Sequence, residues 1–224
     1  MMPVPNGPAE LQALFADLGD HAVIGLAVSG GADSLALMLL ARKWAAGLAH
    51  PPRLQVYSVD HGLRPEATGE VAMVIQAATA LGLPARGLVW TGEKPVTGVQ
   101  EAARIARYRL MGAAMAEDGA TVLLTAHHRD DQAETVLMRM AHGSGIEGLR
   151  GMMPTSRIEG VLVHRPLLGV EPATLHAIWL TVLAALVCVP INTVFGIAVA
   201  WAVSRYDFRG RRLLISVIEV PFSV

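Results

Sequence analysis

Ser29-Gly30-Gly31-Ala32-Asp33-Ser34 concentrates more chemistry than any other string in the chain. Two adjacent glycines let backbone N–H groups face a ligand without an intervening Cβ. When such a turn opens a helix, those groups sit at the positive end of the helix dipole, an arrangement suited to phosphate or pyrophosphate. The hydroxyls of Ser29 and Ser34 add donors, and Asp33 can hold a magnesium ion that bridges phosphates. The Walker pattern GxxxxGK(S/T) is absent, so any cradle here is of another class. The plain alternative is a glycine turn with Asp or Ser as N-cap.

A second constellation is Ala126-His127-His128-Arg129-Asp130-Asp131-Gln132-Ala133-Glu134-Thr135. If this stretch is helical, His127 and Asp131 are four apart and Asp131 and Glu134 three apart, which gathers an imidazole and two carboxylates on one face. Val136, Leu137 and Met140 then turn toward the interior. The face suits a magnesium site or a general base that takes a proton from an amine. A solvated helix start with acids favoured by the dipole, or a His-x-x-x-Asp zinc site, are the alternatives. Asp60-His61 and the pair Arg104 and Arg107 also qualify: the former lies where an adenosine would rest, and the latter can offset phosphate charge of a nucleotide or an RNA. Arg104 reads equally well as a surface helix charge.

These groups have to be positioned by something, and hydrophobic periodicity names the elements. Strands are expected at Ala22–Val28, Leu54–Val59, Arg86–Thr91 and Thr121–Ala126, and a fifth at Val161–Arg165. Helices are expected at Leu35–Trp44, Thr68–Leu81, Val99–Ala116 and Asp130–Met140, with a glycine-rich loop over Gly143–Gly151. Strand and helix alternate, which predicts an α/β fold: a parallel sheet with helices on both faces and ligands at the carboxyl ends of the strands. Ser29–Ser34 falls between the first strand and the first helix, and Ala126–Thr135 at the end of the fourth strand.

Composition separates a second region. Hydrophobic residues make up 53% of the 224 and charged residues 17%, against about 25% charged in ordinary soluble domains. The excess is local, for no charged residue occurs from Ala177 to Val203. That length of helix would cross a bilayer core of about 30 Å, so residues 177–203 are expected to span or contact a membrane as part of a hydrophobic helical tail. Pro190, Asn192 and Gly196 interrupt the run. Arg205, Arg209, Arg211 and Arg212 follow it, and the positive-inside rule puts Ser204–Arg212 in the cytoplasm and everything before His176 across the membrane. Leu213–Val224 begins another apolar stretch that is too short to span. Residues 1–21 lack Lys and Arg and so show no secretory signal. Residues 1–170 carry 14 basic and 16 acidic side chains, which gives no electrostatic footprint for nucleic acid. Cys188 is the single cysteine; it has no disulfide partner, and paired-cysteine chemistry is excluded.

Taken together, the motifs of residues 1–170 resemble the catalytic domain of the tRNA(Ile)-lysidine synthetases, a family of the PP-loop or N-type ATP pyrophosphatase group. The resemblance rests on Ser29–Ser34, on Val59-Asp60-His61-Gly62-Leu63-Arg64-Pro65, on Gln100-Glu101-Ala102-Ala103-Arg104 with Arg107-Tyr108, on Ala126–Thr135, and on Gly143-Ser144-Gly145 with Gly148-Leu149. It implies an adenine nucleotide alpha hydrolase-like fold, a cytoplasmic location, ATP and Mg2+ as cofactors, and L-lysine and the isoleucine tRNA with a CAU anticodon as partners. The reaction implied is adenylation of the C2 carbonyl oxygen of the wobble cytidine, then attack by the lysine ε-amine with loss of AMP. By the same resemblance Ser29, Gly30, Gly31, Ala32, Asp33, Ser34, Asp60 and His61 bind ATP, with Asp33 near the metal. Asp33, Arg107, His127, Asp131 and Glu134 line the reaction centre, where Glu134 or Asp131 holds or deprotonates the amine.

After Arg165-Pro166-Leu167-Leu168-Gly169-Val170 the family pattern is lost. Residues 171–224 resemble a segment of a sulfate-type ABC transporter permease through Pro190-Ile191-Asn192, Phe195-Gly196, Ala200-Trp201-Ala202 and Pro221-Phe222-Ser223. An enzyme that needs ATP and tRNA conflicts with a tail whose charges place it outside the membrane. The expected explanations are a chimeric sequence joined near residue 171, a membrane-tethered enzyme, or a permease fragment carrying an inactive nucleotide-binding domain.

Overall fold

The computed structural model describes residues 7–91, 94–141 and 151–205. Contacts divide the chain into two compact units, Met1–Trp179 and Leu180–Val224.

In the first unit, a short helix α1 (Pro8–Leu14) precedes β1 (Val23–Ala27), α2 (Ala32–Ala46), β2 (Arg53–Asp60), α3 (Ala67–Ala80), β3 (Ala85–Val89), α4 (Val99–Asp118), β4 (Val122–Leu124), α5 (Arg129–Ala141), β5 (Thr155–Ile158) and β6 (Val161–His164). The six strands form one sheet in the order β3-β2-β1-β4-β6-β5. All neighbours are parallel except β5, which pairs antiparallel with β6. The expected α/β architecture is thus present, with an antiparallel edge strand in addition. That hairpin turns through Glu159 and Gly160, both at positive φ (47° and 79°), the signature of a two-residue primed turn. β5 reads Thr-Ser-Arg-Ile and is half-exposed, too polar for periodicity to expose.

Alternation along the central strands sorts the core into two layers. Ile24 and Leu26 of β1, Leu54 and Val56 of β2 and Val122 and Leu124 of β4 join Leu37, Met38, Leu40 and Trp44 of α2 and Val74 of α3. The opposite face puts Tyr57 of β2, Leu123 of β4 and Val163 of β6 against Tyr108, Met111 and Met115 of α4. α2 and α3 therefore cover one face and α4 the other, because the chain reverses its direction of travel across the sheet after β3. That reversal separates β1 from β4 at a topological switch point, where a crevice opens beyond the carboxyl ends of the strands.

α5 corrects an expectation. Leu137 and Met140 are 64% and 58% exposed rather than turned inward, and no described residue of this helix is buried. The loop expected over Gly143–Gly151 lies outside the described residues except for Gly151. After β6, Leu167 and Val170 return to the core, and Arg129 ties this stretch to the start of α5 through an ion pair with Glu171 at 2.9 Å.

Residues Pro172–Arg205 form one helix, α6, which runs on through Pro190. Among the described residues no helix is long and apolar enough to cross a membrane, so the span expected over 177–203 and its membrane contact gain no support.

Candidate active site

The first turn is built as a cradle. β1 ends at Ala27, and Gly31 is the N-cap of α2 in extended conformation (φ −69°, ψ 154°), with no side chain capping the helix. The reading of Asp or Ser as N-cap is thereby replaced, and the N–H groups of the first helical turn face the crevice. Gly30 sits at φ +90°, and a Cβ there would lie 3.1 Å from the Met73 methyl on α3. Both the backbone angle and the close approach of α3 favour glycine. Ser34 locks the loop from beneath: its hydroxyl accepts from the Ser29 N–H at 3.2 Å, donates to the Gly31 carbonyl at 2.9 Å, and lies 3.4 Å from the Ser29 hydroxyl.

A cavity of about 230 Å³ opens over this turn at the ends of β1, β2 and β4. Ser29, Gly31, Asp33, Ser34, His61, Arg107, His127 and Asp131 all line it, with Tyr57, Val59, Tyr108, Met111 and Thr125 among its other walls. Most of the residues singled out in the sequence meet at one place, although they come from four different elements and the turns after them.

Three of the sequence assignments change in detail. α5 begins at Arg129, so His127 belongs to the turn before the helix and does not share a helical face with Asp131. The histidine that meets the carboxylates is His128, whose Nε2 lies 3.5 Å from Asp33 Oδ2 and whose Nδ1 lies 3.4 Å from Asp131 Oδ2. Its backbone N–H also donates to Asp131 Oδ2 at 2.8 Å. One imidazole thus links the Ser29–Ser34 turn to the start of α5. The three-residue spacing from His128 to Asp131 carried that signal in the sequence. Glu134 is exposed and stands outside the cavity lining.

Asp60 is the third. It is buried, and both its oxygens are engaged, Oδ1 by the Gly62 N–H and Oδ2 by the Thr68 hydroxyl, each at 2.7 Å. Those hydrogen bonds hold its carboxyl below the usual range. Asp60 fastens the turn between β2 and α3 and is absent from the cavity lining, whereas its neighbour His61 reaches the cavity. Because a guanidinium only donates, His61 Nε2 accepts from Arg107 Nη2 at 3.2 Å. Burial, then the Arg107 charge, lower the His61 pKa, so the ring is neutral.

His127 is neutral as well. Burial and the nearby Arg165 charge push its pKa down to about 4, and its Nδ1 lies 2.9 Å from the Thr125 hydroxyl. A group with that pKa is a poor proton acceptor for an alkylammonium near pKa 10.4 but a good neutral hydrogen-bonding partner for a substrate. Asp131 brings a carboxylate to the same cavity. Arg104 lies outside this cavity, 3.8 Å from Glu101 and with its guanidinium 5.9 Å from the Tyr108 ring centre.

Among the described residues no group of three or more His, Cys, Asp or Glu side chains is arranged to hold a metal ion, which leaves the zinc alternative without a site. Magnesium has a lesser requirement, since one or two carboxylates complete its shell with substrate phosphates and water. Asp33 on the cradle fits that role.

Comparison with known proteins agrees with this geometry. The chain is 56% identical over 174 residues to a tRNA(Ile)-lysidine synthase of Bradyrhizobium sp. (strain BTAi1), covering 78% of this chain and 49% of the relative. It is 54% identical over 168 residues to the tRNA(Ile)-lysidine synthase of Rhodopseudomonas palustris, covering 75% and 49%. The chain therefore spans about half the length of the curated relatives it matches. Among solved structures, a U34-tRNA thiolase from Methanococcus maripaludis superposes with a TM-score of 0.63 at 15% identity, over 76% of this chain and 61% of that one, which is a likeness of fold. The family model for the PP-loop domain matches residues 5–182, past the expected junction near 171 and over every residue of the cradle and cavity. On that match the chain belongs to the PP-loop domain family.

Proposed function

We propose that this chain is the catalytic portion of a tRNA(Ile)-lysidine synthase, which uses ATP to join L-lysine to C2 of the wobble cytidine of the isoleucine tRNA with a CAU anticodon. The observation that carries the reading is the convergence of the uncapped α2 N-terminus, Asp33, Arg107, His127 and Asp131 on one cavity at the switch point. Identities above 50% to named lysidine synthases support the choice of RNA and lysine over other acceptors.

Each residue then has a task. The N–H groups after Gly31 and the hydroxyl of Ser29 hold the ATP phosphates, Ser34 braces the loop beneath them through its bond to the Gly31 carbonyl, and Gly30 keeps the loop open to them. Magnesium, when bound at Asp33, neutralises charge that develops on the departing pyrophosphate. In the first step the cytidine C2 oxygen bonds to the α-phosphorus as the α–β anhydride breaks, and pyrophosphate leaves. Arg107, fixed by its bond to His61, stabilises negative charge on the α-phosphoryl oxygens. In the second step the lysine nitrogen bonds to C2 and the C2–O bond breaks with AMP as leaving group. Asp131 takes the proton from the amine, and Glu134, three residues along the same helix, holds the lysine at the rim. His127 donates or accepts as a neutral ring to orient the cytidine.

Purified protein incubated with ATP, L-lysine and a CAU-anticodon isoleucine tRNA transcript is expected to release AMP in amounts that depend on both lysine and RNA. D131N should lower that rate by about 10²–10⁴ with ATP affinity retained. AMP release indifferent to lysine, or supported equally by an RNA with a different wobble base, would reject the reading.

A further inference from the structure

A second cavity, of about 420 Å³, lies between α4, α5 and the β5–β6 hairpin. Arg104, Arg139 and Arg165 line it, with Met152, Met153 and Ser156 among its other walls. Three arginines around one cavity are unexpected in a region whose basic and acidic side chains nearly balance. Arg165 is the most constrained of them. It is only 4% exposed, and its Nη1 donates to the Met153 carbonyl at 2.7 Å and the Ser156 hydroxyl at 2.9 Å. Its Nε is buried with no hydrogen-bond partner, and among the described residues no carboxylate pairs with it. A buried guanidinium in that condition is costly unless an anion completes it.

The neighbours make the cost larger. Burial, together with repulsion from Arg104, lowers the pKa of Arg165, and Arg107 is affected in the same way by burial and by Arg104. Arg104 is half-exposed, one turn before Arg107 on α4, and its ion pair with Glu101 is long and solvated. Arg104, Arg107 and Arg165 also all act on His127, which places the group beside the active-site cavity. Arg107 faces the nucleotide cavity and Arg104 and Arg165 face the second one, so a polyanion entering the first would continue naturally across the other.

We propose that Arg104 and Arg165, with Arg139 on the far wall, form a phosphate site beside the catalytic cavity that takes a backbone phosphodiester of the RNA next to the reacting nucleotide. This rests on the reading of an RNA acceptor and adds to it a positioning device. Arg165 presents a charge fixed by its bonds to Met153 and Ser156, Arg104 supplies a mobile second charge, and fastening the adjacent phosphate sets the angle at which the base enters. The same chemistry would accept free pyrophosphate, and the two sources are separable by experiment.

The probe is a CAU-loop anticodon stem-loop RNA, titrated by fluorescence anisotropy into the full chain from about 50 to 300 mM KCl without ATP, alongside R104Q, R165Q and R165K. Each lost phosphate contact should flatten the slope of log affinity against log salt by about 0.7–0.9, so R104Q and R165Q are each expected to show that change and a roughly three- to tenfold weaker affinity at about 100 mM. R165K should recover the slope better than the affinity, since lysine keeps the charge and loses the guanidinium bonds to Met153 and Ser156 that fix its position. R104Q carries the test if R165Q fails to fold. Slopes matching wild type in R104Q and in folded R165Q would overturn the site. So would a loss confined to ATP affinity, or competition by pyrophosphate that displaces the RNA from wild type and not from R104Q. Absence of RNA binding by wild type would remove the proposed function and this site together, whereas normal binding with unchanged slopes removes the site alone.

Discussion

His127 shows how burial decides a residue's role. With a folded pKa of about 4 against about 6.5 for the unfolded chain, the unfolded state binds the extra proton between these values. The stabilisation is therefore complete above about pH 6.5 and is lost as the pH falls toward 4. Each unit is worth about 1.4 kcal/mol, so His127 should contribute roughly 2–3 kcal/mol of acid sensitivity. Urea melts of wild type and H127Q at several pH values check this: the stability of wild type relative to H127Q is expected to fall by that amount between pH 7 and pH 4.5, and a constant difference would mean a solvated ring. At this scale the sequence showed residue types well and partners poorly. Gly30, Asp33, Arg107 and Asp131 were legible because strand-to-helix turns and helix spacing locate them. The choice of His128 over His127 as partner of Asp131 was harder to read, because both spacings, three and four, are helical and only the helix start at Arg129 separates them. Arg165 was quoted only as part of a string, and no pattern of spacing reveals that a guanidinium is buried.

The elements hold the cradle by packing Tyr57 of β2 and Leu123 of β4 closely over Gly25 of β1. Gly25 on β1 has no room for a side chain: a Cβ would lie 2.9 Å from Tyr57 Cε2 and 3.1 Å from Leu123 Cδ1, and both neighbours are fully buried. Tyr57 cannot swing aside cheaply, for its hydroxyl donates to Asp118 at 2.9 Å, and Asp118 also pairs with Arg86 at 3.2 Å. G25A should therefore cost about 1–3 kcal/mol, read as a lower denaturation midpoint with an unchanged denaturant slope; a neutral effect would show that Tyr57 and Leu123 can shift aside freely. The strands and helices themselves were largely legible, since β1 and β4 are continuous apolar runs, β2 is rich in apolar and β-branched residues, and α2 to α4 keep helical spacing. α5 misled because its apolar residues repeat at helical spacing yet lie exposed. β5 escaped because a four-residue polar edge strand follows no period and is specified by its turn and its partner.

On the scale of the whole molecule, the order β3-β2-β1-β4-β6-β5 creates one switch point, and the residues that sequence reasoning assigned to ATP and to the reaction centre largely converge there. Leu167 and Val170 return to the core just before the composition change near residue 171, and the match to the PP-loop family model runs to residue 182. The central claim is that this crevice activates a nucleobase carbonyl oxygen by adenylation. It is tested most directly with a CAU-anticodon isoleucine tRNA carrying oxygen-18 at C2 of the wobble cytidine, turned over with ATP and L-lysine. The account predicts that the released AMP carries the heavy oxygen. Unlabelled AMP, or ADP in place of AMP, would contradict it.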